Sequence, residues 1–322
     1  MTAVYPESGW TEWILARRPP RARLPDPERP HGVFLEEERL ASGETARSGV
    51  ILLTNRECPW RCLMCDLWKD TTLQSVPAGA IPRQIAFAVR EWERAGALPR
   101  QVKLYNSGSF FDAAAIPPGD VGAIADAVGF AANVVVESHP ALIGERAAEL
   151  QGRLAGALEI ALGLETAHPE VLRRLNKKFD LRAFARAVEY LRRRAIAVRA
   201  FVLVNPPFLD ADEGVAWAVK SAAFAFSCGA GAVSLILTRT GNGAMEALQA
   251  SGEFVPPTLA SLEAAHRQSL ALGQGRVFAD TWGIDTFASC PRCAEARIAR
   301  IQAMNLEQQD RPPVACPDCG GT

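Results

Sequence analysis

No apolar run in the 322-residue sequence approaches the roughly 20 residues needed to span a bilayer. The N-terminus, Met1-Thr2-Ala3-Val4-Tyr5-Pro6, lacks the basic-then-apolar layout of a secretory signal. Both absences predict a cytoplasmic protein with no membrane part. A bias of charge is missing too. Lysine and arginine number 35 against 36 acids, a net charge of −1, so no global field draws the chain to nucleic acid or to an anionic membrane. Such binding requires a local basic patch. Isolated cysteines are scarce: of eight, all but Cys228 lie in C-x2-C or C-x3-C spacings. That excludes a disulfide scaffold and reads as metal binding in a reducing compartment. Cys228 reads as a small buried apolar residue. An apolar fraction of 48% is ordinary for a globular protein, and the length suits one large α/β domain with additions, or two domains.

What is present centres on Cys58-Pro59-Trp60-Arg61-Cys62-Leu63-Met64-Cys65, just after the strand-like run Val50–Leu53. Thiolates are soft ligands, and three on one short loop point to a metal or cluster. A cubane iron–sulfur cluster held by three thiolates keeps one iron open for a substrate or cofactor. A three-cysteine zinc site and incidental buried thiols are the competing readings. The C-x3-C-x2-C stretch resembles the signature of the radical S-adenosylmethionine (SAM) superfamily. The resemblance implies a [4Fe-4S] cluster on Cys58, Cys62 and Cys65, SAM on the open iron, and Met64 packed near the adenine. It also implies reductive cleavage of SAM to a hydrogen-abstracting radical, with electrons from a reductant such as flavodoxin or ferredoxin.

Residues 1–47 read as an N-terminal arm. Pro19, Pro20, Pro25, Pro27 and Pro30 prevent a long helix, and Trp10 and Trp13 share one helical face. An extended arm covering the barrel edge competes there with a substrate-binding arm. From residue 48 to 250 short apolar strands alternate with helices. The strands are expected at Val50–Leu53, Gln101–Tyr105, Asn133–Glu137, Leu158–Leu164, Val198–Val204 and Ala232–Leu237. Helices are expected over Pro82–Arg94, Asp120–Phe130, Ala141–Leu150, Leu181–Arg194 and Ala211–Ser227. The alternation implies right-handed βαβ units and a parallel sheet. Together with the resemblance it gives an α/β partial (β/α)6 TIM-type barrel, with the arm before it and a small Cys-rich extension, 251–322, after it.

In parallel barrels the site gathers at the C-terminal ends of the strands. Those ends carry the cysteine loop, then Asn106-Ser107-Gly108-Ser109, Glu137-Ser138-His139, Glu165-Thr166, Asn205 and Thr238-Arg239. Glu137 and Glu165 end apolar strands and are read as site carboxylates rather than solvated ones. Ser107–Ser109 holds the place of the superfamily's glycine-rich SAM segment, without its acidic residue. The candidate cofactor-binding set is Met64, Asn106, Ser107, Gly108, Ser109, Glu137, Ser138, Glu165 and Asn205. The candidate catalytic set is Glu137, His139 and Lys177. The run from Arg173 to Arg199 holds ten basic residues and only Asp180 and Glu189 as acids. A solvated helix face competes there with a phosphate-binding patch.

The extension pairs Cys290-Pro291-Arg292-Cys293 with Cys316-Pro317-Asp318-Cys319 across a helical segment, Ala294–Asn305. Four thiolates with Gly320 and Gly321 beside them suit a closed structural zinc site, with an auxiliary iron–sulfur cluster as the rival. A second helix is expected over Thr258–Leu272, with His266 on its surface or in the core.

Glu170–Lys178 resembles a segment of the Elp3/MiaB-like class, which implies Lys177 or Lys178 beside the pocket; Tyr105–Asp112, Val136–Pro140 and Ala161–Thr166 resemble, within that class, archaeosine synthase-like proteins. That branch implies cleavage of a C–N bond in a lysine-modified deazaguanine of tRNA. A radical SAM enzyme acting on a small metabolite or natural-product precursor, and a non-catalytic iron–sulfur or zinc sensor or electron carrier, are the alternatives.

Overall fold

Turn residues, caps and alternating apolar strands build the architecture in chain order. The computed structural model describes residues 4–320; the first three residues of the arm, and Gly321, lie outside the described residues. Helix α1 (Trp10–Leu15) precedes strand β1 (Gly32–Arg39), and β2 (Thr45–Leu52) follows by a tight turn. Then come α2 (Ala80–Arg94), β3 (Gln101–Tyr105), α3 (Val121–Ala127), β4 (Asn133–Ser138), α4 (Glu145–Arg153) and β5 (Ala157–Glu165). After these lie α5 (Pro169–Arg174), α6 (Leu181–Arg192), β6 (Ala197–Val204), α7 (Ala211–Cys228) and β7 (Ala232–Leu237). The chain continues through α8 (Ala244–Ser251), α9 (Leu259–Leu270), β8 (Arg276–Ala279) and α10 (Pro291–Glu307). Asp180 caps α6, and Asp210 with Glu213 forms a capping box on α7, so these helices start where side-chain oxygens meet their first N–H groups.

The eight strands form one sheet in the order β1 to β8. β1 pairs antiparallel with β2, and β2 through β8 are parallel. The result is an α/β partial barrel of the TIM type. The six strands expected from the sequence are its centre, and two more flank them. β1 lies in the stretch read as an extended arm. Its inward positions, Glu36 and Glu38, are acids rather than apolar residues, which hides the strand pattern. β8 is four residues long and lies in the extension.

One core packs the helices onto the outer face of the sheet, with Trp92, Phe184, Leu191 and Ile124 fully or nearly buried. A second core joins α1 to the rim through Tyr5, Ile14, Leu63, Val171, Leu175 and Met245, with Trp10 and Trp13 packed against it. The gap between β1 and β8 is covered by α10, which packs on both strands. His266 belongs to the core, its Nε2 at 3.2 Å from the Val277 carbonyl.

Candidate functional site

The loop after β2 is fixed from three sides. Leu63 N–H donates to the Leu175 carbonyl at 3.0 Å, and Asn176 Nδ2 donates to the Arg61 carbonyl at 2.7 Å. Asn242 Nδ2 donates to the carbonyls of Leu63 at 2.7 Å and Cys65 at 3.2 Å. The Trp60 indole stacks on the His139 ring, with centroids 3.8 Å apart and planes 7° apart. So held, Cys58, Cys62, Met64 and Cys65 line one cavity of about 1070 Å³ in the barrel mouth. Gly108 faces the loop at close range: a Cβ there would stand 3.2 Å from the Cβ of Cys58.

The three thiols are free, and burial pushes Cys58 and Cys62 up to about 11 and Cys65 up to about 12. Bare, they stay protonated; a soft metal centre is what turns such buried thiols into thiolates. Among the described residues, the group of three or more metal-ligand side chains whose donor atoms all come within 4.8 Å of one another is Cys290, Cys293, Cys316 and Cys319. The loop thiols are spread wider, as ligands of separate irons are and ligands of one ion are not. The residues fit a cubane cluster.

Glu137 stands beside this loop. Its Oε1 accepts from the Asn106 N–H at 2.5 Å and the Gly108 N–H at 3.4 Å. Burial outweighs those donors and raises its pKa from 4.5 to about 7. Ser138 Oγ and Ser109 Oγ are 2.9 Å apart, and Ser109 Oγ accepts from the His139 N–H at 3.3 Å. Glu165 ends β5 after a bulge, with φ of +65°, and accepts from Lys177 Nζ at 2.8 Å. Burial opposes the charge on Lys177, but the Glu165 carboxylate outweighs it and holds the lysine above its usual range. Gly163 makes room for the pair: a Cβ there would lie 2.6 Å from both Glu165 Oε1 and Lys177 Nζ.

Of the residues singled out in the sequence, Ser107, Gly108, Glu137, Ser138, His139, Glu165 and Lys177 line the cavity with the cysteine loop. Asn106, Ser109 and Asn205 are buried behind that lining. The side-chain amides of Asn106 and Asn205 have no hydrogen-bond partner. Both ring nitrogens of His139, expected in the catalytic set, meet backbone groups. Its Nδ1 accepts from the Ala141 N–H at 3.1 Å, leaving Nε2 to donate to the Lys177 carbonyl at 2.8 Å. Burial, helped by the Lys177 charge, lowers its pKa to about 4. A neutral ring so engaged positions Trp60 and the Lys177 backbone.

Sequence reasoning missed the deeper lining. Alternate residues of β1, β3, β6 and β8 line the cavity: Glu36 and Glu38, Lys103 and Tyr105, Arg199 and Phe201, and Phe278 with Asp280 just past β8. At the floor Arg199 bonds Glu38 and Glu159, each at 2.6 Å, and Arg276 bonds Glu159 at 2.8 Å. Lys103 bridges Glu36 and Glu38. Arg199, one of the ten bases read as a surface run, is thus sealed in the barrel. Charges usually mark a surface, and only the period-2 placement within β6 betrays it. Asn242 carried no motif, and Asn176, though inside the Glu170–Lys178 stretch, was not singled out; their part depends on loops far apart in sequence.

The fold is that of the radical SAM enzymes. It matches a radical SAM methyltransferase from Sphaerobacter thermophilus with a TM-score of 0.54 at 14% identity, covering 80% of this chain and 79% of that one. It matches Elp3 from Methanocaldococcus infernus with a TM-score of 0.53 at 14% identity, covering 69% of this chain and 59% of the Elp3 chain. In sequence the chain is 26% identical over 246 residues to archaeosine synthase subunit beta of Methanosarcina acetivorans, 72% of this chain and 69% of that protein. The likeness to Elp3 is one of fold, and the likeness to archaeosine synthase subunit beta one of sequence. No protein-family model matches the chain.

Proposed function

We propose that this chain is a radical SAM enzyme whose substrate is a modified base in tRNA. The observation that carries the proposal is the convergence of three free cysteines, Glu137 and the Glu165–Lys177 pair on one cavity at the strand ends of this fold. Cys58, Cys62 and Cys65 would hold a [4Fe-4S] cluster, and SAM would lie against Met64, Ser107, Gly108, Ser138 and Glu137. When bound, the cluster supplies the single electron that converts SAM into a hydrogen-abstracting radical. The chain's own work is orientation. The backbone N–H groups of Asn106 and Gly108 aim Glu137 at a polar ligand, and Glu165 holds the Lys177 ammonium over the cysteine loop. Substrate enters beneath, between Tyr105, Phe201, Phe278 and Asp280. The tRNA assignment follows the archaeosine synthase-like resemblance of the sequence, and the relative's being a subunit beta makes a second subunit a partner to seek. A flavodoxin- or ferredoxin-type protein is the reductant. The four tail thiolates are read as a zinc site. Among the described residues no helix is long and apolar enough to cross a membrane.

The net charge of −1 favours the second reading, a small-molecule substrate. Salt-dependent binding of tRNA, or RNA retained through purification, separates the two. For the enzyme itself, the protein reconstituted anaerobically with iron and sulfide and then reduced is expected to form 5′-deoxyadenosine from SAM. An intact, reducible cluster that yields none would leave only a sensor or electron carrier.

A further inference from the structure

Helix α10 is poorly equipped to dock by apolar contact. Over its 17 residues the fully buried apolar side chains are Ile301 and Met304; its other buried positions are Cys293, Arg297 and Arg300. Yet it occupies a demanding place, across the gap between β1 and β8, where Gln302, Asn305 and Leu306 line the cavity. It also completes the edge of β8. Asn305 Oδ1 accepts from the Ala279 N–H at 2.8 Å and its Nδ2 donates to the Ala279 carbonyl at 2.8 Å. Gln308 does the same for Val277, at 2.7 and 3.0 Å. Two side-chain amides thus stand in for a ninth strand.

The anchor lies at the other end. Cys290 caps α10 and Cys293 sits in its first turn, while the chain returning along the helix brings Cys316 and Cys319 to them. The sulfurs of Cys290 and Cys316 are 3.9 Å apart, and those of Cys293 and Cys319 are 3.6 Å apart. Four thiolates at the corners of a tetrahedron around one zinc-sized ion are about 3.8 Å apart. Thiolates on separate irons of a cubane stand wider. Arg297 lies beside Cys293, where its charge offsets that of a tetrathiolate centre, and it bonds Glu263 of α9. Arg300 bonds Glu263 at 3.1 Å, Asp310 at 2.9 Å and the Arg311 carbonyl at 2.6 Å, fastening the returning segment to the helix.

We propose that Cys290, Cys293, Cys316 and Cys319 hold a single tetrahedral metal ion that pins α10 over the gap between β1 and β8, making the helix a wall of the cavity and the cap of the β8 edge. This rests on reading the tail as a metal site and is independent of the chemistry proposed for the loop cysteines. The ion closes a loop that the few apolar contacts of α10 do not close alone.

The test compares the full chain, its cluster reconstituted, with Cys316→Ser/Cys319→Ser and with Asn305→Leu. Metal, acid-labile sulfide and amide hydrogen exchange are measured on each. The double variant is expected to lose one metal equivalent and no sulfide, to keep the loop iron, and to exchange the Val277 and Ala279 amides roughly tenfold faster. Asn305→Leu is expected to keep the metal and still speed exchange at Ala279, so the edge cap is tested even where the double variant fails to fold. A tail that carries sulfide overturns the single-ion assignment. Loss of the metal with unchanged exchange at β8 overturns the pinning role, whatever becomes of 5′-deoxyadenosine formation.

Discussion

Glu137 shows how much one buried carboxylate constrains. Burial moves its pKa from 4.5 to about 7 even though backbone N–H groups favour the charged form. The folded chain therefore keeps a proton over a range in which the unfolded chain has released it. Its contribution to stability is complete below about pH 4.5 and is lost as pH rises through 7. In the metal-free protein, the wild-type thermal midpoint relative to Glu137→Gln is expected to fall by a few degrees across that window. A difference that stays flat with pH would show the carboxylate is solvated and ionised throughout. SAM bound against this group would meet an anion only after that proton leaves. His139 and Asn242 act differently, through shape: one ring stacks on Trp60, and one amide bonds the Leu63 and Cys65 carbonyls.

At the scale of elements, the sheet carries its charges inside. β1 contributes Glu36 and Glu38, β3 Lys103, β5 Glu159, β6 Arg199 and β8 Arg276, all linked at the barrel floor. Burial alone would raise the Glu38 carboxyl, but Arg199 and Lys103 hold it well below its usual range. Such a network is weak evidence of net stability, yet removing one member strands the others. Arg199→Met is expected to lower the free energy of unfolding by roughly 3–5 kcal/mol in urea titration. A loss below about 1 kcal/mol would mean that water reaches the floor and replaces the guanidinium. The same network explains why β1 was unreadable. Strand patterns are recognised by apolar alternation, and here the alternating inward residues are acids whose partners lie as far away as Arg199. The strands β3 to β7 each keep short apolar stretches around a few polar positions, and were legible nearly to the residue.

For the whole molecule, the two cysteine groups lie on separate devices: a loop spread around the cavity mouth and a knuckle at the far end of α10. Cys62→Ala is expected to abolish loop iron and SAM cleavage while the tail metal remains, measured by elemental analysis and 5′-deoxyadenosine formation. Loss of both metals together would contradict independent sites. The loop, the strand-end carboxylates and the tail were all visible in the sequence, because ligand spacing and strand-end position are local. What α10 does was not visible, since its side chains complete a strand that it meets only in the folded chain. The order of the sheet follows the order of the chain, strand by strand. During synthesis each new parallel strand therefore finds its neighbour already in place, and no strand has to be inserted between two others. The cysteine loop emerges early and α10 after every strand, an interval on the order of tens of seconds at ordinary rates of translation. Until α10 packs on β1 and β8, the barrel is open along its side, and the approach to the loop is wider than in the finished fold.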